Sequence, residues 1–192
     1  SLNLGEVRRA KNAADGWRPG WDIAGTVEAA ASDGSGPPAG ARVAALVHRP
    51  EKRDAVAPYA DEVFVGDTAD AARSAGPFDL ILESVGGDVF ASALKLLAVD
   101  GLLVTFGASA ERTSTVELPP FYLTGGLSVY GFIIFHEFER EPAGPGLARL
   151  AALVDAGKLD VRIDGVLPIE RIGDAAERLW NRGVTGKLVV SF

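Results

Sequence analysis

The stretch FDLILESVGG, residues 78–87, decides how the rest of this chain is interpreted. Its first five residues are mostly apolar and suit a short buried strand, and two glycines then allow a turn. Beyond the turn, apolar residues follow at the helical spacing i, i+3, i+4 and i+7, namely Phe90, Ala93, Leu94 and Leu97. A strand that leads into an amphipathic helix predicts a parallel sheet with helices on its faces.

The same alternation of strands and helices extends to both sides of this stretch. Short helices are predicted from Glu51 and near residues 69–74. The predicted strands cover residues 43–47, 62–65, 78–82 and 102–106. We therefore expect residues 43–107 to form part of a doubly wound, Rossmann-like α/β domain with a parallel sheet.

The chain beyond residue 107 has a different pattern. Residues 127–135 form an unbroken apolar and aromatic run, which suits a buried strand or an edge strand that pairs with a second subunit. Two amphipathic helices follow, one ending at Gly157 and one ending at Gly183. Their apolar faces consist of Leu147, Leu150, Ala151 and Val154, and of Ile172, Ala175, Ala176 and Leu179. Residues 187–192 are predicted to be a terminal strand.

Composition excludes several functional classes. The formal net charge is −7 and the basic residues are scattered, so the sequence predicts no nucleic-acid surface. It contains no apolar run that could span a membrane and no signal peptide, and we expect a cytoplasmic protein. With no cysteine and two distant histidines, a transition-metal site or disulfide is not expected. Any chemistry then depends on an organic cofactor or on oxygen and nitrogen groups.

Several segments also match a known family in sequence and in order. They are Ser1–Val7, Arg18–Val27, Ala39–Val43, Glu83–Gly87, Leu96–Gly107, Leu153–Leu159 and Gly183–Val190. Together they resemble the medium-chain dehydrogenase/reductase superfamily, especially its quinone oxidoreductase branch. The resemblance implies a remnant of a β-rich, GroES-like catalytic domain at residues 1–41. It also implies an incomplete Rossmann-like nucleotide domain at residues 42–135, and C-terminal helices with a returning strand at 136–192.

The activity implied by this resemblance is hydride transfer from NADPH to a quinone or an α,β-unsaturated carbonyl, in a homodimer. Zinc-dependent members carry His-Glu where this chain has Trp21 and Asp22, and a cysteine near the position of Glu6. An indole nitrogen cannot ligate zinc, so the resemblance is to the zinc-independent branch.

A second departure from the family concerns the cofactor's pyrophosphate. The family has a first Rossmann strand and a glycine-rich turn before the second strand, and this sequence has neither. The glycines of residues 34–36 have the wrong spacing and precede Pro37 and Pro38. Residues 40–47 match two family motifs at once. We therefore hypothesise that the chain is joined there, by an internal deletion or by residues skipped in the numbering, and is truncated before Ser1.

Candidate cofactor residues follow the predicted strands. His48, Arg49 and Lys52 come directly after the strand at residues 43–47, where a basic group would pair with the 2′-phosphate of NADPH. The alternative is a solvated basic turn. Two further loops lie at strand ends, where ligands bind in open α/β sheets. They contain Ser84, Val85 and Gly86, and Phe106, Gly107, Ala108 and Ser109.

The glycines of these loops would let the backbone approach the nicotinamide ribose. The alternative is that Gly86 and Gly87 form a simple turn and Asp88 caps the following helix. By resemblance, Phe132 and Lys187 would also contact the cofactor, and Asn3 and Tyr130 would line the substrate pocket. Composition alone favours a core role for Phe132 and a loop-backbone role for Asn3. Neither Glu83 nor His136 is predicted to be catalytic, and no catalytic residue is assigned.

Two other functions remain open at this stage. Residues 78–82 and 97–105 also resemble the middle of a class I methyltransferase, although that fold needs an acidic residue after its second strand and His48-Arg49 stands here instead. The chain could also be a non-catalytic binding or structural protein, because a reductase without its pyrophosphate turn has lost its main cofactor contact.

Overall fold

A computed structural model describes residues 40–181, 183–184 and 186–192. Of these, residues 40–143 belong to one compact unit and residues from 144 onward belong to a second. The predicted catalytic remnant at residues 1–41, including Asn3, Glu6 and Trp21, lies outside the described residues apart from its last two positions.

The described residues contain seven strands, of which the sequence predicted all but the sixth. They are β1 (Ala44–Val47), β2 (Glu62–Val65), β3 (Phe78–Glu83), β4 (Leu97–Thr105), β5 (Ser128–Gly131), β6 (Ile163–Pro168) and β7 (Lys187–Ser191). In the first unit, β1 pairs with β2, and a separate sheet has the order β3-β4-β5. In the second unit β6 pairs with β7. Every one of these pairs is parallel, which confirms the expected α/β class.

The helices of the described residues are mostly short. They are α1 (Arg53–Val56), α2 (Gly87–Leu94), α3 (Leu118–Thr124), α4 (Ile134–Glu137), α5 (Ala143–Asp155) and α6 (Ile172–Trp180). The 3₁₀ helices cover Pro50–Lys52, Ala57–Tyr59, Ala69–Ala75 and Ile169–Arg171. The predicted helix near residues 69–74 is thus a 3₁₀ helix. The predicted C-terminal glycine of α5, Gly157, has the expected positive φ of 67°.

The helical pattern that began with Phe90 extends too far in sequence. Helix α2 ends at Leu94, and Leu97 is the first residue of β4. Leu97 is nevertheless buried, at 3% exposure, because it packs in the same core as Ala93 and Leu94. Strand β4 begins before the predicted Leu102 because it contains an irregularity: Phe78 pairs with Leu97, whereas Leu80 pairs with Leu102. The helical spacing therefore predicted correctly that Leu97 is buried and wrongly that it belongs to the helix.

The apolar run at residues 127–135 is not a long buried strand. Only Ser128–Gly131 form β5, which is an edge strand of the three-stranded sheet, and α4 begins at Ile134. Phe132, for which composition favoured a core role, is 37% exposed, and Ile133 and Phe135 are more exposed still. The prediction of a core strand is therefore wrong, while its alternative of an edge strand agrees with the sheet order.

The core of the first unit joins both of its sheets. Its buried residues are Ala69, Ala93, Leu94, Leu96, Leu97 and Leu103. Leu46 from β1 and Ile81 from β3 pack against this cluster. The Ser92 hydroxyl accepts a hydrogen bond from the backbone N–H of Ala69, at 2.9 Å, and thereby ties α2 to the 3₁₀ helix that follows β2. The two sheets thus share one hydrophobic core.

The second unit has a smaller core, formed by Leu167, Ala175 and Leu188, with Leu179 packed against it. The predicted apolar face of α6 is therefore only partly buried. Helix α5 buries none of its residues within the described part of the chain, and Leu147 on its predicted apolar face is 64% exposed. Among the described residues, no helix has the length and apolar character needed to cross a bilayer.

Candidate functional site

Two of the predicted cofactor loops are joined at the carboxyl ends of β3 and β4. The backbone N–H of Ser109 donates to the carbonyl of Ser84 at 2.9 Å, and the N–H of Ala110 donates to the carbonyl of Val85 at 3.0 Å. An isolated bridge pairs Gly86 with Glu111. The backbone bonds therefore fix residues 84–86 and 106–111 as one local structure at this edge of the sheet.

Gly86 is required in this structure for a reason that the sequence did not indicate. It is buried, its φ is 79°, and a Cβ atom on it would lie 2.0 Å from the carbonyl oxygen of Glu111. A Cβ on Gly107 would lie 3.1 Å from the carbonyl oxygen of Ser84. Both glycines thus allow the two loops to approach each other. This packing role does not depend on the nicotinamide ribose, which the sequence had suggested as the neighbour of these glycines.

Glu83 organises the start of the first loop. Its side chain is 3% exposed, and its Oε1 atom accepts hydrogen bonds from the N–H groups of Val85, at 2.6 Å, and Gly86, at 2.8 Å. The second oxygen, Oε2, is buried and has no hydrogen-bond partner among the described residues. A buried carboxylate oxygen without a donor is costly, so Oε2 is a polar atom that the described residues leave unsatisfied.

The end of β5 adds a third loop to the same edge. The N–H of Phe132 donates to the carbonyl of Thr105 at 2.8 Å, so Phe132 follows directly after the β4–β5 pairing. The hydroxyl of Tyr130 donates a hydrogen bond to a carboxylate oxygen of Glu137. This bond, together with desolvation and the negative charge of Glu137, raises the pKa of Tyr130.

The basic turn lies at the carboxyl end of β1, in the other sheet of the same unit. His48 Nδ1 is 2.8 Å from Asp67 Oδ1, and both side chains are more than three-quarters exposed. Arg49 Nε is 3.8 Å from Glu51 Oε1, with the arginine side chain 42% exposed. Lys52 lies in the 3₁₀ helix that begins at Pro50. The turn is thus accessible, but each of its first two basic residues has an acidic neighbour.

Three further residues from the sequence analysis, Lys187, Asn3 and His136, are not part of the joined loops or the basic turn. Lys187 begins β7 in the second unit, where its N–H donates to the carbonyl of Arg162 at 2.8 Å. Asn3 lies outside the described residues. His136 is exposed and 3.6 Å from Glu139, as expected for a surface histidine. Within residues 40–181, 183–184 and 186–192, no cluster of His, Asp and Glu residues could hold a metal ion.

Two residues of this edge were not predicted from the sequence. Glu111 contributes backbone contacts that no local pattern indicates, since its partner Gly86 is 25 residues away in sequence. The organising role of Glu83 had a weak signal, an acidic residue placed directly before a glycine turn. A separate open cleft of about 560 Å³ lies beside β2 and α1, lined by Arg53, Asp61 and Phe64 among others, and contains none of the predicted site residues.

Comparison with known proteins identifies the relatives of this chain. A "probable zinc-binding oxidoreductase, mitochondrial" of Arthroderma benhamiae is 32% identical over 124 residues, which are 64% of this chain and 34% of the relative. An acryloyl-coenzyme A reductase of Metallosphaera sedula is 26% identical over 153 residues, covering 79% of this chain and 44% of the relative. The chain therefore spans less than half the length of either relative.

Solved structures support the same fold. A mycobacterial quinone oxidoreductase superposes with a TM-score of 0.67 at 24% identity, over 78% of this chain and 48% of that one. A mycobacterial protein in complex with NADPH superposes with a TM-score of 0.65, with the same identity and coverage. At 24% sequence identity, this structural similarity establishes the fold of the chain.

The family itself follows from a match along most of the chain. The family model described as zinc-binding dehydrogenase matches residues 59–190, which include β3, β4, β5 and the joined loops at their carboxyl ends. The incomplete Rossmann-like sheet and the superpositions agree with the superfamily resemblance of the sequence motifs. The chain belongs to the zinc-binding dehydrogenase family of the medium-chain dehydrogenase/reductases.

Proposed function

We propose that this chain is part of an NADPH-dependent, zinc-independent reductase that transfers a hydride to a quinone or an α,β-unsaturated carbonyl. The observation that carries the proposal is the set of joined loops at the carboxyl ends of β3, β4 and β5. Ligands of open α/β sheets bind at this edge. An acryloyl-coenzyme A reductase and a mycobacterial quinone oxidoreductase among the similar proteins favour this substrate class.

The choice of NADPH depends on the turn after β1. A 2′-phosphate carries negative charge, and the guanidinium of Arg49 is accessible and only loosely paired with Glu51, at 3.8 Å. His48 and Lys52 add two further nitrogen donors to the same turn. The mycobacterial structure in complex with NADPH supports this choice. The residues of this turn therefore fit the 2′-phosphate of the cofactor.

The described residues fit the cofactor's pyrophosphate poorly. The N–H groups of Val85 and Gly86 are bonded to Glu83, and those of Ser109, Ala110 and Glu111 are bonded to residues 84 and 85. These donors are already used within the protein. We therefore expect the 192-residue chain to lack nanomolar affinity for NADPH, since backbone donors at a helix N-terminus usually hold the pyrophosphate.

When bound, NADPH would supply the hydride, and the protein would orient the reactants. We propose that Ser84–Gly86, Phe106–Ser109, Phe132 and Lys187 contact the cofactor. Tyr130, whose pKa is raised by its hydrogen bond to Glu137, and Asn3 would face the substrate. The phenol already donates to Glu137, so it would offer a substrate mainly its acceptor lone pairs. Proton delivery would then fall to solvent or another weak acid.

A chimera tests this function. The strand, glycine-rich turn and following helix of the mycobacterial quinone oxidoreductase would be inserted before β1, between Gly40 and Val43. We expect calorimetry to detect NADPH binding by the chimera and weak or no binding by the original chain. The chimera should also oxidise NADPH in the presence of a quinone or enone, with no requirement for added zinc. A chimera that folds and binds no nucleotide would contradict the proposal.

We also propose a homodimer, formed in part by the segment Leu127–Phe135, whose strand β5 has β4 as its one partner strand among the described residues. The segment carries exposed apolar side chains, including Val129 in β5 at 43% and Ile133 after it at 56% exposure. An exposed apolar edge strand is a ready site for pairing with a second copy. Light scattering should give the mass of a dimer at micromolar concentration, and a monomer would contradict the proposal.

A non-catalytic binding or structural role is the second candidate. It is favoured by one observation: most backbone N–H groups of the joined loops, including those of Val85, Gly86, Ser109, Ala110 and Glu111, are bonded within the protein. In that case the chimera would bind NADPH without reducing any quinone or enone.

A further inference from the structure

A side-chain cluster joins β5 to the helix that follows it. The hydroxyl of Tyr130, in β5, donates a hydrogen bond to Oε1 of Glu137, the last residue of α4. The other carboxylate oxygen, Oε2, lies 3.5 Å from Nη1 of Arg140. Glu137 is the less exposed of the two charged side chains, at 25% against 65% for Arg140. Both oxygens of Glu137 therefore have a partner within residues 130–140.

The cluster lies at the edge of the sheet where the ligands of this fold class bind. Tyr130 is the last residue but one in β5 and pairs with Val104 of β4. Because α4 lies beyond the carboxyl end of β5, the bond to Glu137 places the hydroxyl at this end of the strand. Ligands of open α/β sheets bind outside the carboxyl ends of the strands. Successive side chains of a strand point to opposite faces, so Tyr130 does not share a face with Val129 of the proposed dimer contact.

The hydrogen bond fixes the direction of the phenol. A carboxylate has no proton to donate, so the hydroxyl proton of Tyr130 lies between the two side chains and is committed to Glu137. The pKa of Tyr130 is raised mainly by this bond, and a hydrogen bond from Arg140 acts in the opposite direction. Since a hydroxyl oxygen has two acceptor positions, one remains for a ligand.

We propose that Glu137 is a positioning residue, which holds the Tyr130 proton and thereby makes the phenol oxygen an acceptor for an N–H or O–H group of the substrate. The substrate would then be a quinone or an α,β-unsaturated carbonyl that carries such a donor, as a hydroxyl or an amide group. An analogue with a methylated donor would lose this hydrogen bond. The inference rests on the proposed function, because it names the substrate class of the same site.

Two unsaturated amides test the proposal with the intact 192-residue chain. Cinnamamide carries N–H donors next to its α,β-unsaturated carbonyl, and N,N-dimethylcinnamamide carries none. The dissociation constants of both are measured by NMR titration without NADPH. We expect cinnamamide to bind about fivefold more tightly, which is the effect of one net hydrogen bond. Equal binding of the two amides, or no binding of either, would overturn the proposal.

Glu137→Gln is the most informative variant because it keeps the shape of the side chain and adds a donor. Arg140 should hold the amide oxygen on its own side, so the new N–H₂ group faces Tyr130. The phenol then accepts from Gln and has its own proton free for a ligand carbonyl, and the preference for cinnamamide should fall below about twofold or be reversed. Glu139→Gln is the matched control: Glu139 is 3.6 Å from His136, and its loss should keep the fivefold preference. A preference that survives Glu137→Gln, or that Glu139→Gln removes equally, would contradict the positioning role.

Tyr130→Phe completes a double-mutant cycle. Without the phenol oxygen, adding Glu137→Gln should leave the ratio of the two dissociation constants unchanged. A further change of the ratio would mean that Glu137 acts on the ligand directly, and the proposal would fail.

The ionisation of Tyr130 gives a readout that needs no ligand. Its pKa should fall in Glu137→Gln, because the hydrogen bond and the negative charge that raise it are removed. Tyrosinate absorbance follows the titration, and subtracting the curve of the matching Tyr130→Phe protein separates Tyr130 from Tyr59 and Tyr122. An unchanged pKa would show that Glu137 does not control the phenol.

NADPH oxidation by the chimera is a separate measurement. If the amide preference responds to Glu137→Gln as expected and the chimera oxidises no NADPH, this inference stands and the proposed function is contradicted. If the chimera is active and the two amides bind equally, the proposed function stands and this inference is wrong.

Discussion

The joined loops after β3 and β4 and the basic turn after β1 lie at the carboxyl ends of parallel strands, but different forces shape them. The loops are fixed by backbone hydrogen bonds, a buried carboxylate and glycines that meet backbone atoms. The basic turn consists of exposed side chains whose ion pairs are accessible to water. Substitutions in the loops should therefore change stability, whereas substitutions in the turn should change affinity for charged ligands.

The largest expected effect is from Gly86→Ala. The added Cβ would meet the carbonyl oxygen of Glu111 at 2.0 Å, and alanine is strained at a φ of 79°. Strain and overpacking together should lower the free energy of unfolding by about 4 kcal/mol. Gly125→Ala is the matched control, with a φ of 83° and no atom within 4 Å of the added Cβ. Urea unfolding should show the smaller loss for the control, and equal losses would disprove the steric part of the argument.

A smaller effect is expected at Glu83. Glu83→Ala leaves the N–H groups of Val85 and Gly86 without their acceptor, which should cost about 2–3 kcal/mol. Glu83→Gln keeps a side-chain oxygen for both donors and should cost about 1 kcal/mol or less. The free energies of unfolding from urea titration compare the two variants. If glutamine were as destabilising as alanine, the loop would depend on the charge of Glu83 rather than on its acceptor geometry.

Arg49→Glu should leave stability almost unchanged and alter ligand selectivity. Adenosine 2′,5′-bisphosphate is the appropriate probe, because it carries the 2′-phosphate without requiring a pyrophosphate site, and AMP is its reference. Losing a charge-assisted contact should weaken binding of the bisphosphate by about 1.5–3 kcal/mol, roughly 10- to 150-fold. Arg73→Glu makes the same charge change in the 3₁₀ helix before β3 and should have little effect. Equal binding of both probes by the unmutated chain would contradict the assignment.

The smallest effect is expected from Asp67→Asn. Removing this carboxylate leaves His48 without its exposed acidic partner, and exposed ion pairs contribute about 1 kcal/mol or less. Binding of the bisphosphate should strengthen by at most about fivefold, and the increase should diminish at high salt. The free energy of unfolding should change by less than about 0.5 kcal/mol. A large loss of stability would mean that the basic turn, like the joined loops, contributes to the stability of the fold.

The sequence alone was informative wherever the signal was local. Apolar runs and helical spacing located β1, β2 and β3 within one or two residues, and the strand order agrees with a doubly wound sheet. The loops after β3 and β4 were placed at strand ends for the same reason, since the end of a strand can be read from a few neighbouring residues, and their role in cofactor binding stays a prediction. The limits of α2 and β5 were less accurate, because apolar residues continue past the end of each element.

Tertiary structure decided what depends on distant residues. The close contact of Gly86 with Glu111, the burial of Glu83 and the exposure of Leu82 each require knowledge of what packs nearby. A glycine next to a strand end is compatible with both a ligand and a second loop as its neighbour, and only the fold selects between them. The sequence by itself determined where the strands lie along the chain and that the sheet is parallel, because periodicity is local. Which strands are neighbours, and that β1 and β3 each have a single partner strand among the described residues, became visible only in the tertiary structure.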